Sequence, residues 1–221
     1  MGDGEILDEL VERVRTDPLH PLEQFHGLAD GHQYLRLYRT FRRHVPAGAR
    51  VLDWGAGNGH FSYFLTRAGY AATGYSFEGF GFEPWLGDAA YRFVRGNSSD
   101  PVRLPFPDHA FDAVASIGVL EHVRETGGRE LESMKEIRRV LAPRGVFVCY
   151  HFPNRGSAID WLARRTPGKH HHLYRYTRGD IEALVREAGF ELLGQADSTL
   201  PGPKGNLEAF VHARRISKPP L

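Results

Sequence analysis

One cysteine occurs in 221 residues, Cys149. A lone thiol excludes an internal disulfide framework and a cysteine zinc cluster. Within the apolar run 145–150 it reads as a buried, inert side chain. An excess of one charge is also missing. The formal net charge is +1 and the arginines are dispersed among acids, so no large basic field draws a nucleic-acid backbone or an anionic membrane, and no nucleic-acid partner is expected. No apolar run approaches the roughly 20 residues a bilayer span requires. The first twelve residues are acidic and lack the basic-then-apolar order of a signal peptide, which makes a cytoplasmic location the expectation. Internal repeats and low-complexity tracts are absent.

What is present is an ordinary globular composition, 41% hydrophobic and 25% charged, in a length that suits one α/β domain with a small appendage. Ile6, Leu7, Leu10, Val11 and Val14 recur at spacings of three and four and predict a helix over 5–16, ended by Pro18 and Pro21. A second helix is predicted over 31–44 from Tyr34, Leu35, Leu37, Tyr38 and Phe41. After the break Pro46-Ala47-Gly48, short apolar runs alternate with helical patterns, the sign of a parallel sheet with crossover helices. Strands are predicted at 50–54, 71–75, 91–95, 111–117, 145–151, 190–196 and 206–214, and helices at 59–68, 129–141 and 178–188. The last helix opens on Thr177-x-x-Asp180, a capping box with Asp in place of Glu, and stops at Gly189. Three glycines and a proline in 77–88 leave any crossover helix there short or absent. Pro201, Gly202, Pro203 and Gly205 suit a hairpin between the last two strands, and the tail 217–221 is expected to fray.

Val51-Leu52-Asp53-Trp54-Gly55-Ala56-Gly57-Asn58-Gly59 places a strand, three alternate glycines and a helix start in succession. Glycine serves here for a tight turn with unusual dihedrals and for a backbone that must approach a ligand with no Cβ in the way. The helix beginning at Gly59 adds free N–H groups, and Asp53 lies at the carboxyl end of its strand, where open α/β sheets bind ligands. The dinucleotide pattern Gly-x-Gly-x-x-Gly is close, but it wants its third glycine one place later. An acid at the loop entrance suits a ligand's ammonium group better than a pyrophosphate. The competing reading is a strand-to-helix turn whose glycines serve packing alone.

This run resembles the first motif of class I S-adenosylmethionine-dependent methyltransferases. Three further stretches resemble the same family in the same order: 104–116 followed by Val119-Leu120-Glu121-His122-Val123, then 136–147, then Tyr176-Thr177 through Ala188-Gly189-Phe190. With the pattern above, the resemblance implies an α/β fold: a Rossmann-like, seven-stranded, mostly parallel sheet with an antiparallel last strand and helices on both faces. It also implies a helical cap over 1–45 on a cofactor-binding core over 46–221. The cofactor implied is S-adenosylmethionine, with S-adenosylhomocysteine as product. Asp53, Gly55, Ala56, Gly57 and Gly59 take the place of the loop under its methionine part. An acid at the end of strand two usually holds the ribose diol. Ser76 stands there instead, with Glu78 two residues on, and either can serve. At the end of strand three Asn97 and Ser98 stand where an acid often meets the adenine amine, with Asp100 a second candidate. Ser116, Ile117 and Gly118 leave strand four on the cofactor side. His122 matches the family's Glu-His pair, either as a cofactor contact or as a base.

After strand five, 152–176 is long for a strand-to-helix connection. Its histidines, aromatics and arginines, with His171, Tyr174 and Arg175 foremost, predict one wall of a substrate pocket. The adjacent His170, His171 and His172 point in different directions unless extended and have no acidic ligand nearby, so no metal is expected. Methyl transfer from a sulfonium needs alignment of nucleophile, methyl carbon and sulfur, and exclusion of water. An oxygen acceptor adds the need for a base, for which His122 and His151 are the candidates. With no basic face and no Asn-Pro-Pro-Tyr motif, the expected acceptor is an oxygen or nitrogen of a small molecule such as a sugar, lipid or natural-product-type intermediate. The rivals are a nucleotide-dependent oxidoreductase and a non-catalytic methyltransferase-like binding protein. The sequence carries no signal for oligomeric state.

Overall fold

A computed structural model describes residues 1–16, 28–78, 91–153, 173–197 and 208–216. The chain divides into two compact units, Met1–Gly96 and Asn97–Leu221.

The first unit opens with helix α1 (Asp3–Thr16). It has acids in its first turn and arginines in its last, which suits the helix dipole, and it buries Ile6, Leu7 and Leu10 as its spacing predicts. Helix α2 (Leu28–His44) begins three residues before the predicted start. Strand β1 (Arg50–Trp54), helix α3 (His60–Arg67), strand β2 (Ala71–Ser76) and strand β3 (Tyr91–Arg95) follow. β1 pairs in parallel with β2, setting Asp53 opposite Gly74, and β2 pairs in parallel with β3. Four consecutive residues of β1 are buried, the mark of a strand covered on both faces. The core between α2 and α3 is aromatic. Tyr38 stacks on Phe64 with ring centroids 3.9 Å apart, and Phe41 meets Phe61 and Tyr70 edge-on at 5.2 and 5.5 Å. Each such ring contributes roughly 1.5–3 kcal/mol by burial, plus about 0.5–1.5 kcal/mol for ring geometry. Arg67 fastens α3 to α1 through Glu9 at 3.0 Å.

The second unit contains strand β4 (Phe111–Ile117), a 3₁₀ turn (Leu120–His122), helix α4 (Glu130–Val140), strand β5 (Leu141–Pro153), helix α5 (Arg178–Glu187), strand β6 (Phe190–Asp197) and strand β7 (Glu208–Arg215). β5 starts four residues before the predicted 145. Leu141 already pairs with Phe111, and the register shifts before Val146 meets Ala113. The intervening turn carries Arg144 at φ 63°. A Cβ at Gly145 would lie 2.8 Å from the Ala142 carbonyl, so the turn needs glycine there. Around α5 the predicted capping box is complete: the Asp180 N–H donates to Thr177 Oγ1 at 3.2 Å, and the Thr177 N–H donates to the Asp180 carboxylate at 2.7 Å. The helix ends at Gly189, φ 82°. Arg138 of α4 donates to the carbonyls of Gly189 and Ile216, both at 3.1 Å, tying α4 to the ends of α5 and β7.

The seven strands run in the order β3-β2-β1-β4-β5-β7-β6. β4 and β5 are parallel, and β7 is antiparallel to both β5 and β6. The predicted architecture, a mostly parallel seven-stranded sheet with an antiparallel last strand, is the one observed. Residues 79–88, the hairpin connection 198–205 and the tail 217–221 lie outside the described residues.

Candidate functional site

Between β1 and α3, Gly55, Gly57 and Gly59 have φ of 78°, 49° and 74°, a left-handed region costly for any residue with a Cβ. Two hydrogen bonds anchor the loop to β2, where the Gly55 and Ala56 N–H groups both donate to the Tyr75 carbonyl, at 2.8 and 2.9 Å. The Gly59 N–H closes the turn onto Ala56 at 2.7 Å. Gly59 caps α3 without a side chain, and the cap role passes to a residue from the strand. Asp53, 1% exposed, accepts a 2.6 Å hydrogen bond from the Ser62 hydroxyl and a further one from the Ser62 N–H. Burial pushes the Asp53 carboxyl up to about 6 against that stabilisation. Gly74, opposite Asp53, is closely packed: a Cβ there would sit 2.3 Å from the Tyr91 hydroxyl and 3.1 Å from Ser62 Oγ, so the tyrosine end would have to shift.

At the end of β2, Ser76 is half-buried and its carbonyl accepts the Gly96 N–H at 2.8 Å. Glu78 is exposed and lies in a bend past the strand end, so the strand alternation that would put it on Ser76's face does not reach it. In the second unit, the exposed Asn97 directs its side-chain carbonyl to the Ser99 N–H at 3.0 Å, and Asp100 accepts the Arg103 N–H at 3.3 Å; both amide and acid serve local turns. Ser116 is fully buried, and Ile117 and Gly118 are half-buried. Gly118, φ 67°, donates to the Tyr150 carbonyl at 3.0 Å. Glu121 is 3% exposed. Burial first, and Glu121 second, push the Cys149 thiol well up, which fits the inert thiol expected. His122 Nδ1 lies 2.6 Å from Glu125 Oε2.

A model of the family described as Methyltransferase domain matches residues 23–195. The chain belongs to that methyltransferase family. Among curated relatives, Probable tRNA methyltransferase 9B of Homo sapiens is 30% identical over 132 residues, which is 56% of this chain and 28% of that protein. Demethylmenaquinone methyltransferase of Deinococcus radiodurans is 32% identical over 135 residues, 55% of this chain and 53% of that protein. The chain spans about a quarter of the length of the first of these relatives. Among solved structures, the 1,6-didemethyltoxoflavin-N1-methyltransferase of Burkholderia thailandensis, with 1,6-didemethyltoxoflavin and S-adenosylhomocysteine bound, superposes with a TM-score of 0.65 at 22% identity. That superposition covers 96% of this chain and 88% of the other. The fold of the methyltransferase is thus the class I fold its motifs imply.

Tyr174 and Arg175 are half-buried and line a cavity of about 550 Å³ shared with Arg124, Glu130 and Tyr176. His171 lies outside the described residues, and His151 belongs to the carboxyl half of β5. Three partners were not legible as site residues. Ser62, which holds Asp53, is nine residues away with no motif of its own. Glu125 follows His122 by three residues, a spacing that a turn brings together. Arg124, whose guanidinium lies 5.1 Å from the Tyr174 ring centroid, is separated from it by fifty positions. Among the described residues no group of three or more His, Cys, Asp or Glu is placed to hold a metal ion, and no helix is long and apolar enough to cross a membrane.

Proposed function

We propose that this chain transfers a methyl group from S-adenosylmethionine to an oxygen or nitrogen of a small molecule. The observation carrying the proposal is the loop of three left-handed glycines that closes on a buried Asp53, within a chain of the methyltransferase family. The chemistry of the loop fits the ligand. Its glycines present backbone without side chains. The charge of Asp53, disfavoured by burial, is stabilised by a nearby ammonium, which the methionine part of S-adenosylmethionine carries. When bound, that molecule supplies a methyl group already activated on sulfur. In this reading Asp53, Gly55, Ala56, Gly57 and Gly59 hold the methionine part and Ser76 or Glu78 the ribose. Asn97 and Ser98 meet the adenine, while Ser116, Ile117 and Gly118 complete the contacts. His122, oriented through Nδ1 by Glu125, withdraws a proton where the acceptor is a hydroxyl, with His151 the alternative base. Residues 1–45 act as a cap on the 46–221 core, and 152–176 as the acceptor-side insertion with His171, Tyr174 and Arg175.

Calorimetric titration with S-adenosylhomocysteine and, separately, with NAD tests the cofactor. Binding of the first alone is expected; binding of NAD alone would turn the reading toward an oxidoreductase. A second acceptor class, tRNA, is favoured by the name of the human relative at 30% identity; the +1 net charge weighs against it. Transfer of radiolabelled methyl groups from S-adenosylmethionine into total tRNA, compared with transfer into a small-molecule cell extract, decides between the two. Label in tRNA alone would overturn the small-molecule reading.

A further inference from the structure

Near the start of α4, Glu130 is 5% exposed, and its carboxylate is held from two sides. The Tyr176 hydroxyl donates to it at 2.6 Å, and the Arg124 Nε donates at 2.8 Å. Burial pushes the Glu130 carboxyl up, but the bonds from Arg124 and Tyr176 together outweigh it and hold the group below the ordinary range; at neutral pH it is a carboxylate. Tyr176, pushed up by burial and by Glu130, keeps its proton and donates. Arg124 therefore does not swing freely as a surface arginine does. Its Nε edge is fixed on a buried acid, and its Cζ lies 5.1 Å from the Tyr174 ring centroid, within cation–π range.

A guanidinium has five N–H donors, and Glu130 takes the one on Nε. The terminal amino groups, with the other four, have no protein acceptor among the described residues. The Arg124 side chain is 53% exposed and lines the cavity of about 550 Å³. Arg175 lines the same cavity, and so does Leu173, 61% exposed. Among the described residues Leu173 and Met1 are the exposed large hydrophobics. Two of the cavity's three acids are already engaged. Glu130 is spent on Arg124 and Tyr176, and Asp180 on the Thr177 N–H of the capping box; Glu187, at the C-terminal end of α5, is the one cavity acid for which the described residues show no partner, set against the two arginines Arg124 and Arg175.

We propose that the cavity between α4, α5 and residues 173–176 binds the oxyanion of an acceptor with an apolar body, a carboxylate or phosphate monoester read by the two terminal amino groups of Arg124, with Leu173 against the apolar part. A fork fixed at its Nε edge loses little freedom when it meets a planar carboxylate or a phosphate in a bidentate pair. Glu130 and Tyr176 are positioning residues, acting through Arg124. The assignment deepens the methyltransferase reading by naming the acceptor's charge, and rests on it only for the word acceptor.

The test uses the full chain saturated with S-adenosylhomocysteine and titrated by calorimetry with benzoate, phenyl phosphate and uncharged benzamide. Benzoate or phenyl phosphate is expected to bind at least tenfold more tightly than benzamide, and whichever binds more tightly names the acceptor's anionic group. Arg124→Gln is expected to lose tenfold or more of that affinity, and Arg124→Lys, which keeps the charge and loses the fork, several-fold. In both variants S-adenosylhomocysteine affinity is expected within twofold of the parent, which also shows that they fold. Binding of both benzoate and phenyl phosphate no tighter than benzamide, or anion binding unchanged in Arg124→Gln, would overturn the assignment. If S-adenosylhomocysteine does not bind the parent protein, the cofactor reading fails; the same titrations without it still decide whether the cavity takes an oxyanion.

Discussion

The Ser62 hydroxyl donates to Asp53 Oδ2 at 2.6 Å, with both groups buried. This bond joins the carboxyl end of β1 to the first turn of α3 across the glycine loop. Ser62→Ala leaves a buried carboxylate short of one donor, at a cost of about 1–3 kcal/mol. Urea unfolding of the ligand-free protein is expected to show that loss. S-adenosylhomocysteine affinity is expected to fall in parallel, because the loop's two ends are no longer held in register. A variant as stable as the parent would place the support of Asp53 elsewhere.

Asp53 also gives the ligand-free protein a distinctive pH dependence. Its carboxyl is raised by burial to about 6, from an ordinary value of 3.8. Between those values the folded chain holds a proton that the unfolded chain has released, so this group's contribution is greatest below pH 3.8 and is lost as pH rises through about 6. Other carboxyls, Glu130 and Glu136 among them, are held below their ordinary range and act in the opposite sense at lower pH. The measurement is therefore a difference: unfolding free energy of the parent minus that of Asp53→Asn, from pH 4.5 to 7.5. It is expected to fall with rising pH and level off above about 6.5. A cationic ligand near Asp53 favours its ionised form, so S-adenosylhomocysteine is expected to bind more tightly as pH rises through 6, with proton release below it. A flat difference would show that Asp53 is ionised throughout.

The Gly74 site permits a rescue experiment. An added methyl group meets the Tyr91 hydroxyl at 2.3 Å and Ser62 Oγ at 3.1 Å. Gly74→Ala is expected to destabilise the protein by about 1–3 kcal/mol, as overpacking does. Removing the hydroxyl in Gly74→Ala/Tyr91→Phe should recover part of that loss, measured by a double-mutant cycle in urea. A strictly additive cycle would mean that the two residues do not meet.

Arg139 gathers more of the second unit than any sequence pattern suggests. It donates to Glu136 and to Asp108 and also to the carbonyls of Phe106 and Leu104, at 2.8–2.9 Å. Arg139→Met is expected to cost about 2–4 kcal/mol, because two carbonyls and a half-buried carboxylate lose their donor together. Arg139→Lys, which reaches fewer acceptors, should fall between. Chemical denaturation settles the order.

Features legible in the sequence share a property: their physics is local. Gly55, Gly57 and Gly59 are glycine because their φ values are positive, and Thr177 and Asp180 cap each other across three residues. Gly189 ends α5 for the same backbone reason. Features that were not legible depend on partners distant in the chain or on a choice between local options. The Asn97 side-chain carbonyl accepts the Ser99 N–H of its own turn, one of several local options open to an asparagine. Leu141 enters β5 early because Phe111, thirty residues before it, offers a pairing edge. Arg124 looks like any surface arginine until Glu130, Tyr174 and Tyr176 surround it.

The position of β7 has a kinetic consequence. It follows β6 in the chain yet lies between β5 and β6 in the sheet. During synthesis β5 must wait, with one edge unpaired, until residues 208–215 have been made. Until then β6 has no seat in the sheet, since it hydrogen-bonds only to β7 among the described strands. An unpaired parallel edge of this kind is open to wrong partners. The most aggregation-exposed interval for this chain is therefore the time between emergence of β5 and insertion of β7, and a synonymous slowing of translation within 198–215 should lower soluble yield more than the same slowing within α1.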